Sequence, residues 1–210
     1  AHRGGTNRSL RQSHSEASEA TQAHAPTVTY EEFLHAVRAA ARIAEVDELL
    51  VFGSQAVLVY HPDAPIELRQ SVELDVVPYR HPERWDVIDG SLGEESRFHR
   101  THGYYAHGVG FETAKFPVGW EKRCWRVPVG NPEVTVVCPE IHDLAASKLA
   151  AGRDKDFDYV SVLIAHDYVH TRTLLRRVAR LEVPAEHRER VRAWIGAVAH
   201  RLSGRPDTRP

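Results

Sequence analysis

The chain has 210 residues, 42 % of them hydrophobic and 27 % charged, with a formal net charge of −2. That balance belongs to a globular domain with a real core and excludes collagen-like, coiled-coil and wholly disordered chains. A near-neutral sum argues against a uniformly basic nucleic-acid binder, and no apolar run reaches the roughly 18 residues that a membrane span needs.

Residues 1–26 are rich in Ser, His, Gln, Gly and Thr, show no apolar period, and are expected to form a disordered tail. Order begins at Thr29, a helix cap with Glu32 three residues on, followed by Phe33, Leu34, Val37, Ala40, Ala41 and Ala44 at helical spacing. This helix should end near Glu45. Residues 48–52 read as a short apolar strand running into Gly53-Ser54, and 55–60 as a helix-like segment closed by His61-Pro62. Residues 72–79 alternate as a strand, with Val72, Leu74 and Val76 on one face and Glu73, Asp75 and Val77 on the other. A helix over 82–88 starts on Pro82. Residues 103–109 and 112–116 are expected to pair as a hairpin, with further strands at 124–129 and 133–138. Pro139 opens a helix through Ile141, Leu144, Ala145, Lys148 and Leu149 that Gly152 interrupts, and helices follow at 157–165, 171–181 and 185–202. The order predicts a mixed α/β (α+β) core with a helical C-terminal region. Its expected divisions are a tail over 1–26, a core over 27–151, a helical region over 152–204 and a tail over 205–210.

Cys124 and Cys138 have no CxxC partner, and the start of the chain lacks the apolar centre of a secretory signal, so a reduced cytoplasmic setting is expected. His99, His102 and His107 match no regular zinc spacing and are assigned to a loop or hairpin surface. Trp120, Tyr104 and Tyr105 are read as core or rim aromatics. Arg172, Arg176 and Arg180 recur every four residues opposite Leu174, Val178 and Leu181. They form either a solvated helix face or a track for an RNA backbone, whose binding would fall steeply with salt.

The chemistry concentrates at two places. Glu73 and Asp75 are two apart on one strand, so both carboxylates leave the same face with Cα atoms roughly 6.5 to 7 Å apart. Acids so placed can share divalent cations, which take hard oxygen ligands together with substrate phosphates. Gly53 and Ser54, at a strand end and helix start, supply free backbone N–H groups and a hydroxyl suited to a triphosphate. The plain alternatives are a salt-bridged polar strand face and an ordinary helix cap.

With these residues the chain resembles the nucleotidyltransferase superfamily that includes DNA polymerase β, whose signature is a strand, Gly-Ser, and later an acid-x-acid pair. The segment His142-Asp-Leu-Ala-Ala-Ser-Lys-Leu-Ala-Ala-Gly-Arg-Asp-Lys-Asp156 resembles the Asp-Leu-x-x-x-Lys-Leu helix and following Arg-x-Lys-Asp of AbiEii-like and MenT-like nucleotidyltransferase toxins. Ser71 to Pro78 and Phe98 to Ala106 are similar to stretches of uncharacterised nucleotidyltransferase-like bacterial proteins. The resemblance covers about residues 30–170 and implies a polymerase β-like core. It also implies an NTP substrate, Mg2+ (or Mn2+) at Glu73 and Asp75, and phosphates cradled by Gly53 and Ser54. Lys148 and Arg153 would contact the nucleotide, and Asp156, or Asp154, would act as a late supporting acid. A tRNA acceptor and an antitoxin partner are implied as well, with no membrane. The first acid is Glu where the pattern commonly has Asp, and Glu133 is the nearby candidate for a third carboxylate. A non-catalytic nucleotide-, RNA- or partner-binding protein, or an enzyme modifying a small molecule such as an antibiotic, are the competing readings.

Overall fold

In the computed structural model, residues 26–130 and 134–203 are described. Both predicted tails, Pro26 apart, and Glu133 lie outside them. The first ordered element follows from its cap: Thr29 Oγ1 accepts from the Glu32 N–H, and the Glu32 carboxylate accepts from the Thr29 N–H at 2.7 Å. This capping box opens helix α1 (Tyr30–Ala44), which buries Phe33, Ala36, Val37, Ala40, Ala41 and Ala44.

Strand β1 (Glu48–Phe52) is buried from Leu49 onward, as its unbroken apolar run requires of a central strand. It pairs antiparallel with β2 (Glu73–Pro78) and parallel with β5 (Val134–Cys138), while β4 (Trp125–Val129) pairs antiparallel with β5. β3 (Tyr105–Gly108) lies parallel to β2, giving the sheet order β3-β2-β1-β5-β4. The fold is therefore mixed α/β with a five-stranded mixed sheet followed by helices, as the element order implied.

Between β1 and β2 runs the short helix α2 (Val57–Tyr60). Between β2 and β3 lie α3 (Trp85–Leu92), preceded by a 3-10 turn at Pro82–Arg84, and α4 (Arg97–His102), which the sequence reading left out. The expected hairpin of 103–109 with 112–116 does not form. An α3–α4 crossover brings β3 to β2 in parallel, and Phe111–Thr113 is a 3-10 turn. A continuous hydrophobic run of Tyr104, Tyr105 and Ala106 is what a strand backed by a helix needs, and α3 supplies that backing.

The C-terminal half is α5 (Ile141–Ala151), α6 (Asp154–Ala165), α7 (Thr171–Val178) and α8 (Ala185–Ser203), with α5 packed against the other three. α7 buries Leu174 and Val178 and exposes Arg172 and Arg176, with Arg180 exposed in the turn just past its end, the amphipathic division that the spacing predicted. Tyr104 and Tyr105 are core residues, and Trp120 is half-buried. Among the described residues no helix is long and apolar enough to cross a membrane.

Candidate active site

Residue alternation along β2 puts Leu74 and Val76 into the core and turns Glu73 and Asp75 to the other face, into a cleft of about 430 Å³. Asp75 lies opposite Phe52 in the β1–β2 register, which sets its carboxylate against the turn that follows β1. Gly53 makes that approach possible. Its φ is +74°, and a Cβ there would fall 2.1 Å from Asp75 Oδ2, so a side chain is excluded both by backbone conformation and by the carboxylate.

Gln55, fully buried, fixes the turn from behind: its Nε2 donates to the Ser71 carbonyl and, at 3.4 Å, to that of Arg69. Ser71 in turn accepts from the Glu73 N–H through Oγ, at 3.3 Å, at the entry to β2. The Gly53-Ser54 turn and the acidic strand are thus tied together through side chains that carry no charge.

Lys148 comes from α5, almost fully buried, and its Nζ donates to Ser54 Oγ at 3.0 Å. It lies 3.6 Å from Asp156 Oδ1 and 4.5 Å from the centre of the Tyr159 ring, whose hydroxyl donates to the Ser54 carbonyl at 2.6 Å. Burial pulls the Lys148 ammonium below its ordinary pKa, opposed by the carboxylates of Asp156 and Asp75. Asp156 is buried in the first turn of α6 and receives Arg153 in a two-pronged pair at 2.6 and 3.2 Å. Asp154 is exposed, so of the two late acids Asp156 is the one joined to the lysine. The helix breaks at Gly152, so Lys148 and Asp156 stand on two successive helices. The break is what turns Asp156 back toward Lys148.

The residue missed by sequence reasoning is His107. It sits on β3 opposite Asp75, with Nδ1 2.6 Å from Glu73 Oε1 and 3.4 Å from Asp75 Oδ1. The Asp75 and Glu73 carboxylates push its imidazole pKa up to about 9, against burial acting the other way. His99 and His102 go elsewhere: His99 packs near the Tyr105 ring, and His102 near His35 and Phe98. Among the described residues Glu73, Asp75 and His107 are the group whose ligand atoms all lie within 4.8 Å of one another. The only signal in the sequence was a histidine inside a buried strand-like run, at the even spacing that returns to the cleft face.

A phosphate-sized cleft bordered by two carboxylates on one side and by Lys148 and Arg153 on the other can hold a cation and a polyphosphate together. One family model matches residues 31–194, that of a nucleotidyltransferase of unknown function (DUF6036). The chain belongs to this family. No curated protein and no solved structure gives a significant match. As a nucleotidyltransferase it takes an NTP substrate, and the matched span runs from α1 into α8, so the catalytic fold and the C-terminal helices fall under one family description.

Proposed function

We propose that this nucleotidyltransferase transfers a nucleoside monophosphate from an NTP to a hydroxyl of tRNA, as the toxin of a toxin–antitoxin module akin to the AbiEii-like and MenT-like enzymes. The observation that carries the transfer reaction is the meeting, in one cleft, of Glu73 and Asp75 with the Gly53-Ser54 turn and Lys148. The tRNA and toxin parts rest on the Asp143-to-Asp156 motif and on the exposed arginines of α7.

Glu73 and Asp75 would hold a divalent cation, Mg2+ or Mn2+, and the donor set fits one: their carboxylate oxygens and the His107 imidazole lie within 4.8 Å of one another. Bound there, the ion neutralises phosphate charge and lowers the barrier to attack at the α-phosphorus. Gly53, lacking a side chain, lets the Asp75 carboxylate come up against the turn, where the Ser54 hydroxyl and the turn's backbone N–H groups meet the phosphate oxygens. Lys148 adds a compact positive charge beside Ser54, and Asp156 holds that ammonium in place while Arg153 closes the cleft edge. The acceptor oxygen forms the new bond to the α-phosphorus, the bond to the β-phosphate breaks with release of pyrophosphate, and the hydroxyl proton passes to water. Catalysis here is positioning and electrostatic stabilisation.

The deciding experiment incubates the protein with each α-labelled NTP, divalent cation, and either total tRNA or a panel of small hydroxylated acceptors. Label in tRNA is the expected result. Label in a small molecule would replace the tRNA reading. Nucleotide binding without transfer to either would make this a non-catalytic member.

A further inference from the structure

The geometry points to His107 as a third protein ligand, through Nδ1, of the cation held by Glu73 and Asp75, with Asp89 standing behind its Nε2, and hence to a site that prefers Mn2+-like ions over Mg2+. The inference rests on the cation-binding part of the proposed function and on no nucleotide.

Parallel pairing of β2 with β3 matches Asp75 with His107, so both side chains leave the sheet on the same face. A single ring nitrogen, Nδ1, faces both acids, at 2.6 Å from Glu73 Oε1 and 3.4 Å from Asp75 Oδ1, and an entering ion takes the place of the proton held between them, which leaves to solvent. Neighbouring ligands around an ion with bonds of about 2.1 Å stand about 3 Å apart; the two separations from Nδ1 bracket that distance, and all three donors lie within 4.8 Å of one another. All three side chains reach solvent, with 37 %, 22 % and 39 % of Glu73, Asp75 and His107 exposed, which leaves an entry path for the ion.

The second nitrogen supplies an independent sign. Nε2 lies 3.9 Å from Asp89 Oδ1, an ion-pair separation and not a hydrogen bond, on the side from which a carboxylate that closes in can orient a ligating histidine and make it more basic. Two glycines make room for Asp89. A Cβ on Gly108, next to His107, would fall 2.0 Å from the Trp85 carbonyl oxygen and 3.0 Å from the Asp89 nitrogen, so α3 can dock on β3 only over glycine. A Cβ on Gly93 would fall 2.7 Å from Asp89 Oδ1 itself. Mg2+ favours oxygen ligands and gives up water reluctantly, whereas a nitrogen donor suits first-row ions.

The test uses the full chain without nucleotide. Mn2+ binding is followed by electron paramagnetic resonance with Mg2+ as competitor, and pulsed spectra are recorded on protein with ordinary and with 15N-labelled histidine. The expected result is a histidine-nitrogen coupling to bound Mn2+ that changes with the label and vanishes in His107→Asp. The preference for Mn2+ over Mg2+ should be at least about tenfold smaller in that variant, whose donors are all oxygen. Asp89→Asn should keep the coupling and weaken Mn2+ binding about tenfold. Bound Mn2+ without that coupling, no Mn2+ binding, or an unchanged preference in His107→Asp overturns the inference. An unaffected Asp89→Asn removes Asp89 from it. The labelled wild-type spectrum decides the question even if no variant folds. Nucleotide transfer supported by Mg2+ with no nitrogen coupling would sink this inference alone, and coupling without transfer would sink the nucleotide reading alone.

Discussion

Helix α5 contributes to two charged clusters that are built in opposite ways. Near its start, Asp143 is wholly buried and receives Arg123 through two hydrogen bonds at 2.6 and 2.9 Å, with Arg177 Nε at 3.0 Å from the same carboxylate. Glu140 beside it is engaged by Arg177 at 3.4 Å and by His142 at 2.5 Å, and His142 Nε2 accepts from the His170 backbone N–H. Five residues on, Lys148 borders a cleft where Glu73 and Asp75 share one imidazole and remain open to water. The carboxylate of Asp143 has both oxygens committed to permanent cations and serves the fold. Those of Glu73 and Asp75 keep lone pairs available, and that spare capacity is what a site for an exchangeable ion and a phosphate chain requires.

Removing Asp143 should break the first cluster most severely. Asp143→Ala leaves two arginines facing an empty buried position and should cost about 3–5 kcal/mol, read from urea denaturation. Asp75→Asn should do the reverse, leaving the denaturation midpoint near wild type while transfer falls by at least about 10²-fold. An Asp75→Asn protein that retains activity would strip that residue of its assigned role. Gly53→Ala falls between the clusters in kind: left-handed backbone adds about 1–2 kcal/mol of strain, and the new Cβ pushes Asp75 aside, so transfer should drop further than stability. Lys148→Met sharpens the contrast again. Asp156 keeps Arg153 and the lost ammonium was itself disfavoured by burial, so the stability loss should be smaller than that of Asp143→Ala, while the KM for NTP rises about tenfold.

The smallest effect concerns pH. Burial raises the pKa of Glu140, but His142 and Arg177 outweigh it and hold the carboxyl below its ordinary 4.5. A carboxyl lowered in the folded state adds stability above its unfolded pKa, and that contribution disappears as pH falls from about 4.5 through the folded value. Glu140→Gln should therefore flatten the acid limb of a stability-against-pH curve and leave its neutral part lower but parallel.

Much of the candidate cleft was legible in the chain itself. The two-residue spacing of Glu73 and Asp75 and the Gly53-Ser54 turn needed only backbone geometry, and Lys148 with Asp156 followed from a motif. His107 was not legible, because its role depends on β3 pairing parallel to β2 across 34 residues, where a hairpin with 112–116 was the nearer local choice. Asp143 was visible as part of the same motif as Lys148. Its structural task was hidden, since its partners stand 20 residues before it and 34 after.

What the sequence determined alone is local: caps, strand alternation, the glycine turn and the amphipathic face of α7 are set by dihedral preferences and by periods of 2.0 and 3.6 residues. What only the tertiary structure decided is which charges meet. Pairings over tens of residues depend on loop closure and on packing that no window of sequence contains, and those pairings separate a carboxylate that holds the molecule together from one left open to the cleft.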